Sequence, residues 1–217
     1  AMAGRIPGGR VAAVGLGVGS IAAYGALGEH WTFFEIDTAV ERTARSHFTF
    51  LSDSAASVDV RIGDGRLLLE KARDAVARGA TELCIQGGIH PNKDHTHYLE
   101  ILTALKGGFP QLHIHAFSPE EVDFGHRKSE MALSDYLRWL VDAGLGTMPG
   151  TAAEILDDSV REIVSPRKLK RDRWIEIVKT AHSIGLHSTS TLMYGHIEKV
   201  SHVAQHLALL REIQKQT

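Results

Sequence analysis

Apolar runs alternate with amphipathic stretches along almost the whole chain. Seven stretches read as strands: VAAVGL (11–16), WTFFEID (31–37), VDVRIGD (58–64), ELCIQGG (82–88), LHIHAFS (112–118), LGTMPG (145–150) and HSTSTLMYG (187–195). Several are continuous apolar runs, the pattern of parallel strands covered on both faces. Between them apolar positions recur at helical spacing. Residues 66–78 set Leu68, Leu69, Ala72, Ala75 and Val76 on one stripe, and residues 134–142 set Leu137, Leu140 and Val141. Residues 173–184 do the same with Trp174, Ile177, Val178 and Ala181, and residues 198–214 with Val200, Val203, Leu207 and Leu210. Gly79, Gly144 and Gly185 follow three of these stripes, where a left-handed cap is needed.

This order predicts an α/β fold with a mainly parallel sheet, residues 1–217 forming one domain. The expected architecture is a Rossmann-like three-layer sandwich of strand order 3-2-1-4-5 onward. The alternative is a partial β/α barrel. The first strand discriminates: in the sandwich it pairs with the second and fourth strands, in the barrel with the second and the last.

Chemistry enters at VAAVGLGVGS, a strand running into a glycine loop that opens a helix. Gly15, Gly17 and Gly19 permit positive φ and close backbone approach to a ligand. The helix start beyond them offers free N–H groups to an anion. Glu35 ends the next strand, where a carboxylate can accept hydrogen bonds from ribose hydroxyls. Asp64 ends the third, near where an adenine would lie. From Gly15 the spacing is G-x-G-x-G, which favours an S-adenosylmethionine-type nucleoside. From Gly17 it is G-x-G-x-x-A, which dinucleotide sites permit, and spacing does not settle the choice.

Composition narrows the options. With 43% hydrophobic and 23% charged residues the chain is an ordinary globular protein. Its net charge of −2 gives no footprint for nucleic acid. No apolar run approaches the roughly 18 residues of a membrane span, and no secretory leader is visible at the start. Cys84 is the only cysteine, which rules out an internal disulfide and points to a reducing, cytoplasmic compartment. It also leads to the expectation of no iron–sulfur cluster, since such clusters are usually held by several thiolates of one chain.

Thirteen histidines invite a metal reading. His113 and His115 share one strand face, His202 and His206 are one helical turn apart, and DHTH (94–97) forms a third group. None shows a full ligand set, so no metal is assigned: the strand pair reads as lining a cavity and the helical pair as a solvated face. Arg167, Lys168, Lys170, Arg171 and Arg173 read as a solvated basic loop leading into a helix.

Two family resemblances then appear. Residues 10–70, with AVGLGVGSIAAYGALGEHWTFFEIDTAVERTA, FTFLSDS and VDVRIGDGRLLLE, resemble spermidine synthase-like members of the class I methyltransferase fold. The resemblance implies that Gly15, Gly17 and Gly19 line the amino-acid part of an S-adenosyl ligand, that Glu35 holds the ribose and that Asp64 faces the adenine. QGGIHP stands where that family carries its catalytic aspartate. Residues 71–217, with ARDAVARGATELCIQGGIHP, YLEILTALKGGFPQLHIHAFSPEEV, LRWLVDAGLGTMPGTAAEILDD and WIEIVKTAHSIGLHSTSTLMYGHIE, resemble the radical S-adenosylmethionine barrel of deazaflavin (coenzyme F420 chromophore) synthases and aminofutalosine synthases. This implies that Gly87 and Gly88 contact the methionine part of the ligand.

The expectation drawn from both is an engineered chimera joined near residues 66–75, inside a helix both parts would supply. It would lack native catalysis and keep S-adenosylmethionine or S-adenosylhomocysteine binding at the glycine loop, with unassigned catalytic residues, a small nucleoside as its partner, and self-association through exposed edges. The alternatives are an S-adenosylmethionine-dependent methyl- or aminopropyltransferase, and a radical deazaflavin synthase-like protein without its cluster.

Overall fold

A computed structural model describes residues 9–35, 38–62, 68–86, 89 and 92–217. They divide into two compact units, residues 1–87 with 103–115 and residues 88–102 with 116–217.

The first unit is built on a parallel sheet. Its strands are β1 (Arg10–Val14), β2 (His30–Glu35), β3 (Ser57–Ile62), β4 (Glu82–Ile85) and β5 (His113–Ala116). They lie in the order β3-β2-β1-β4-β5. β1 pairs in parallel with β2 (Ala13 opposite Phe33) and with β4 (Ala13 opposite Cys84). Aromatic and β-branched side chains dominate β2 and β3 because they pack well on a pleated surface. Phe33 is fully buried among Ala13, Leu16, Ala22, Ala44 and Leu51, and Trp31 stacks on it at 6.2 Å. Helices α1 (Thr38–His47) and α2 (Leu68–Ala77) pack on β2 and β1.

One close approach fixes the carboxyl end of this sheet. Gly15 follows β1 at φ +90°, and a β-carbon there would stand 2.4 Å from the Gln86 carbonyl oxygen just past β4. Only glycine satisfies both the left-handed backbone and that contact.

In the second unit the elements are α3 (His97–Gly108, which begins here), α4 (Pro119–Arg127), α5 (Leu133–Asp142), α6 (Asp158–Val164), α7 (Arg171–Ser183) and α8 (Val200–Gln216). α4, α5 and α7 pack on one another over Tyr136, Leu137, Leu140, Trp174, Ile177 and Val178. The two strands expected at 145–150 and 187–195 reduce to one parallel bridge, Met148 with Ser188. The ladder is short because Pro149 has no N–H to give and Gly150 has no side chain to pack. Hydrogen bonds still run from Ala116 N to Thr147 O (3.0 Å), from Met148 N to His187 O (2.9 Å) and from Thr191 N to Gly150 O (3.3 Å). Three extended segments therefore lie side by side in chain order.

The mixed α/β character and the parallel sheet agree with the alternation of the sequence. The helix expected after the glycine loop does not form. In its place is a single 3-10 stretch, Ser20–Tyr24, closed by Gly25. At Gly25 the backbone turns extended (φ −63°, ψ 134°), and a β-carbon there would meet Ser54 and Ala56. Phe33→Ala should destabilise the fold by about 3–5 kcal/mol in urea unfolding, whereas Leu27→Ala, at an 89% exposed position, should stay within about 0.5 kcal/mol.

Candidate functional site

In the first unit the glycine loop and Glu35 come together. Gly15, Gly17 and Gly19 all have positive φ, at 90°, 55° and 79°. The buried Glu35 carboxylate at the end of β2 accepts the Leu16 N–H at 2.9 Å through Oε2. That bond and the Gly19 N to Leu16 O bond (2.9 Å) hold the loop's shape. The helix-start anion site expected beyond Gly19 is absent, because a five-residue 3-10 turn aligns too few peptide dipoles. Asp64, Gly87 and Gly88 lie outside the described residues.

The second unit holds a polar network that the sequence reading did not single out. Phe117, the residue after β5, is buried at φ +62°, a conformation L-residues rarely adopt. It packs on the Tyr98 ring at 4.6 Å. Ser118 then caps α4: Glu121 Oε2 accepts the Ser118 N–H (2.8 Å) and hydroxyl (2.7 Å), and Ser118 Oγ accepts the Glu121 N–H. The S-P-E-E run at 118–121 is the recognisable signal of this capping box. Burial pushes the Tyr98 phenol well above its ordinary range, and Glu121 and Tyr136 add to the effect. Tyr136 is raised in the same way and donates its hydroxyl to the His95 carbonyl at 3.2 Å.

Two residues after Glu121 on α4, buried Asp123 accepts from Arg173 (2.7 Å) and Arg127 (2.7 Å). Arg173 also donates to Glu176 (2.8 Å) and to His126 Nδ1 (3.0 Å). At the start of the basic run Arg167, Lys168 and Lys170 are exposed on a loop leading into α7, as expected, and the two lysines carry surface ion pairs. Lys168 pairs with Glu154 and Lys170 with Glu162, while the Arg171 N–H is bound by Asp158. Lys168 and Arg173 meet acids 14 and 50 positions away, which spacing along the chain does not reveal.

The histidines resolve into separate roles. His113 lies 3.8 Å from Glu82. Burial first, and the neighbouring His113 second, push His115 down to about 4. On α8 the expected solvated face is wrong for one member: His206 is buried, and its Nδ1 accepts the Leu156 N–H at 3.1 Å. His202 Nδ1 accepts the Lys199 N–H instead, so the pair does not converge. In DHTH, Asp94 Oδ1 accepts from the Thr96 N–H and hydroxyl, forming a turn into α3. Among the described residues no three His, Cys, Asp or Glu are arranged to hold a metal ion.

Asp123→Ala should cost about 3 kcal/mol in urea unfolding, because two arginines lose a buried anionic partner. His115 is depressed when folded and ordinary when unfolded, so its contribution to stability is complete above pH 6.5 and lost as pH falls towards about 4. His115→Gln should lose less stability than the parent between pH 7 and pH 4.5, and equal losses would contradict its burial.

Comparison with known proteins adds the family. Residues 47–210 match the radical SAM superfamily. Curated relatives are the 5-amino-6-(D-ribitylamino)uracil–L-tyrosine 4-hydroxyphenyl transferases of Methanothermobacter thermautotrophicus (44% identical over 170 residues), Archaeoglobus fulgidus (51% over 148) and Nostoc punctiforme (49% over 157). These alignments cover 78%, 68% and 70% of this chain and 46%, 43% and 41% of the relatives. The chain therefore spans under half the length of the curated relatives it matches. The match runs from residue 47 through α2, where a junction was expected, and β4 joins β1 in one sheet across that point. The engineered chimera, the spermidine synthase-like methyltransferase part and the absence of native catalysis are all overturned by it. So is the expectation of no iron–sulfur cluster, since radical SAM proteins use S-adenosylmethionine together with such a cluster. With most of its length inside a single family match, this chain belongs to the radical SAM superfamily.

Proposed function

We propose that the protein takes part in transferring the 4-hydroxyphenyl group of L-tyrosine to 5-amino-6-(D-ribitylamino)uracil, the reaction for which its relatives are named. The observation that carries this is identity of up to 51% over 148 residues. The chemistry of the second unit supports it. Coupling an aromatic amino acid to a polyol-bearing base requires two polar molecules held in fixed mutual orientation. The strained Phe117, the Ser118–Glu121 capping box and the Asp123–Arg173–His126 network give that unit a rigid backbone after β5.

This chain's own donors do not fit the family's cluster. Cys84 is its single thiol, half-buried on β4, and a cluster of this type is held by several thiolates. The role that falls to these residues is to bind and orient the organic molecules.

For S-adenosylmethionine, Gly15, Gly17, Gly19 and Glu35 are proposed contacts, and Asp64, Gly87 and Gly88, outside the described residues, are kept as separate candidates. Support for the first four is the position of Glu35 against the loop backbone at the carboxyl ends of β1 and β2. For the finer architecture, β1 with parallel partners on both sides supports an open sheet in the first unit. The three segments in chain order support partial-barrel staves in the second. The near-neutral charge supports small-molecule partners rather than nucleic acid, and the single thiol a cytoplasmic setting. No helix among the described residues is long and apolar enough to cross a membrane.

Calorimetry of the 217-residue chain tests the reading. L-Tyrosine and 5-amino-6-(D-ribitylamino)uracil should each bind saturably, and failure of both at millimolar concentration would refute it. S-Adenosylmethionine should bind about tenfold more weakly to Glu35→Ala; unchanged affinity would remove Glu35 from the contact set.

A further inference from the structure

Loop 151–156 in the second unit carries two non-glycine residues in the left-handed region, Ala152 at φ +60° and Glu154 at φ +43°. Each such residue persists only where its surroundings over-determine it. The restraints can be named. Arg161, only 2% exposed, donates to the carbonyls of Ala152, Ala153 and Leu169. Trp174 Nε1 donates to the Thr151 carbonyl at 3.1 Å, and Lys168 pairs with Glu154. The Met193 N–H donates to the Glu154 carbonyl at 3.0 Å. The last restraint is the Leu156 N–H, which donates to Nδ1 of His206 on α8 at 3.1 Å.

That last bond differs from the others in kind. Its acceptor is an imidazole nitrogen, so it exists only while Nδ1 is unprotonated. His206 is 1% exposed, so the ring is closed off from bulk solvent. A proton on Nδ1 would set one N–H against another inside a buried site.

We propose that His206 is a proton-released latch: neutral, it ties α8 to the strained loop 151–156, and protonated, it lets that loop open. This goes beyond the transferase reading and does not depend on it.

The surroundings favour the closed form at neutral pH. Burial lowers the His206 pKa below its ordinary value, the Thr191 carbonyl raises it, and the nearby Arg161 guanidinium lowers it again. His202, one turn earlier on α8, is occupied by the Lys199 N–H and acts on Asp157. Glu154, the acid of the loop itself, is held by Lys168. In the unfolded chain the same imidazole takes its proton near pH 6.5. The latch therefore holds fully above that pH and is lost as pH falls through the folded value.

Amide hydrogen exchange on the whole chain, corrected for intrinsic rates, reads the latch directly. Protection of the Leu156 amide should fall about tenfold between pH 7 and pH 5. In His206→Asn, whose side-chain oxygen can accept the same N–H without titrating, protection should not change with pH. Protection that is flat with pH in the parent, or a variant that tracks the parent, overturns the proposal. NMR of the parent protein gives a second test that needs no variant. The Leu156 amide shift should titrate with the His206 ring nitrogens at one midpoint, and separate midpoints overturn the latch.

Discussion

The structure depends on backbone approaching backbone at the carboxyl ends of parallel segments, closer than any side chain allows. At Gly15 a β-carbon would stand 2.4 Å from the Gln86 carbonyl oxygen, and at Gly150 it would stand 1.8 Å from that of Thr189. Within each unit these contacts set how far neighbouring segments may close on one another. The Glu35–Leu16 bond depends on the first, since it is the turn at Gly15 that brings the Leu16 N–H back to β2. The Thr191 N to Gly150 O bond depends on the second.

Where glycine is absent the chain still adopts left-handed turns, and polar side chains restrain them. Phe117 is backed by the Ser118–Glu121 capping box, and Ala152 and Glu154 by Arg161, Lys168 and His206. A buried guanidinium is tolerated because its donors meet backbone carbonyls that would otherwise lack partners. Backbone strain and buried charge thus meet in the second unit, after β5 and after the segment at 147–150. In α/β proteins, loops at the carboxyl ends of strands are where binding and catalytic groups gather.

The glycine loop shows why local pattern misled the reading of function. Strand, glycines and a subsequent acid occur in the order that nucleoside sites use. Beyond Gly19 the chain makes one 3-10 turn and goes extended at Gly25, where Ser54 and Ala56 from a distant loop leave no space for a side chain. No periodicity in residues 20–25 reports that obstruction. The segment that looked like part of another protein supplies β1 and β2 to the same sheet as β4, and the family match enters it at residue 47.

The sequence by itself determined the α/β class, the strands β1 to β5 and the stripes of α5 and α7, because periodicity records which face is buried. On α8 the expected stripe is not the buried face, since Val200 and Leu207 are exposed and His206 and Ile213 are buried. It also placed Gly15, Gly17, Gly19 and Glu35 beside one another, since short βα units leave little freedom there. Tertiary structure alone decided the partners of the charges. Asp123 with Arg173, Glu120 with the Leu169 N–H, and Leu156 with His206 join residues about fifty positions apart. It also converted the expected solvated face of α8 into a buried imidazole contact. A hydrogen bond between distant segments leaves no period in the chain, and it exists only once packing has removed the water that would otherwise satisfy both ends.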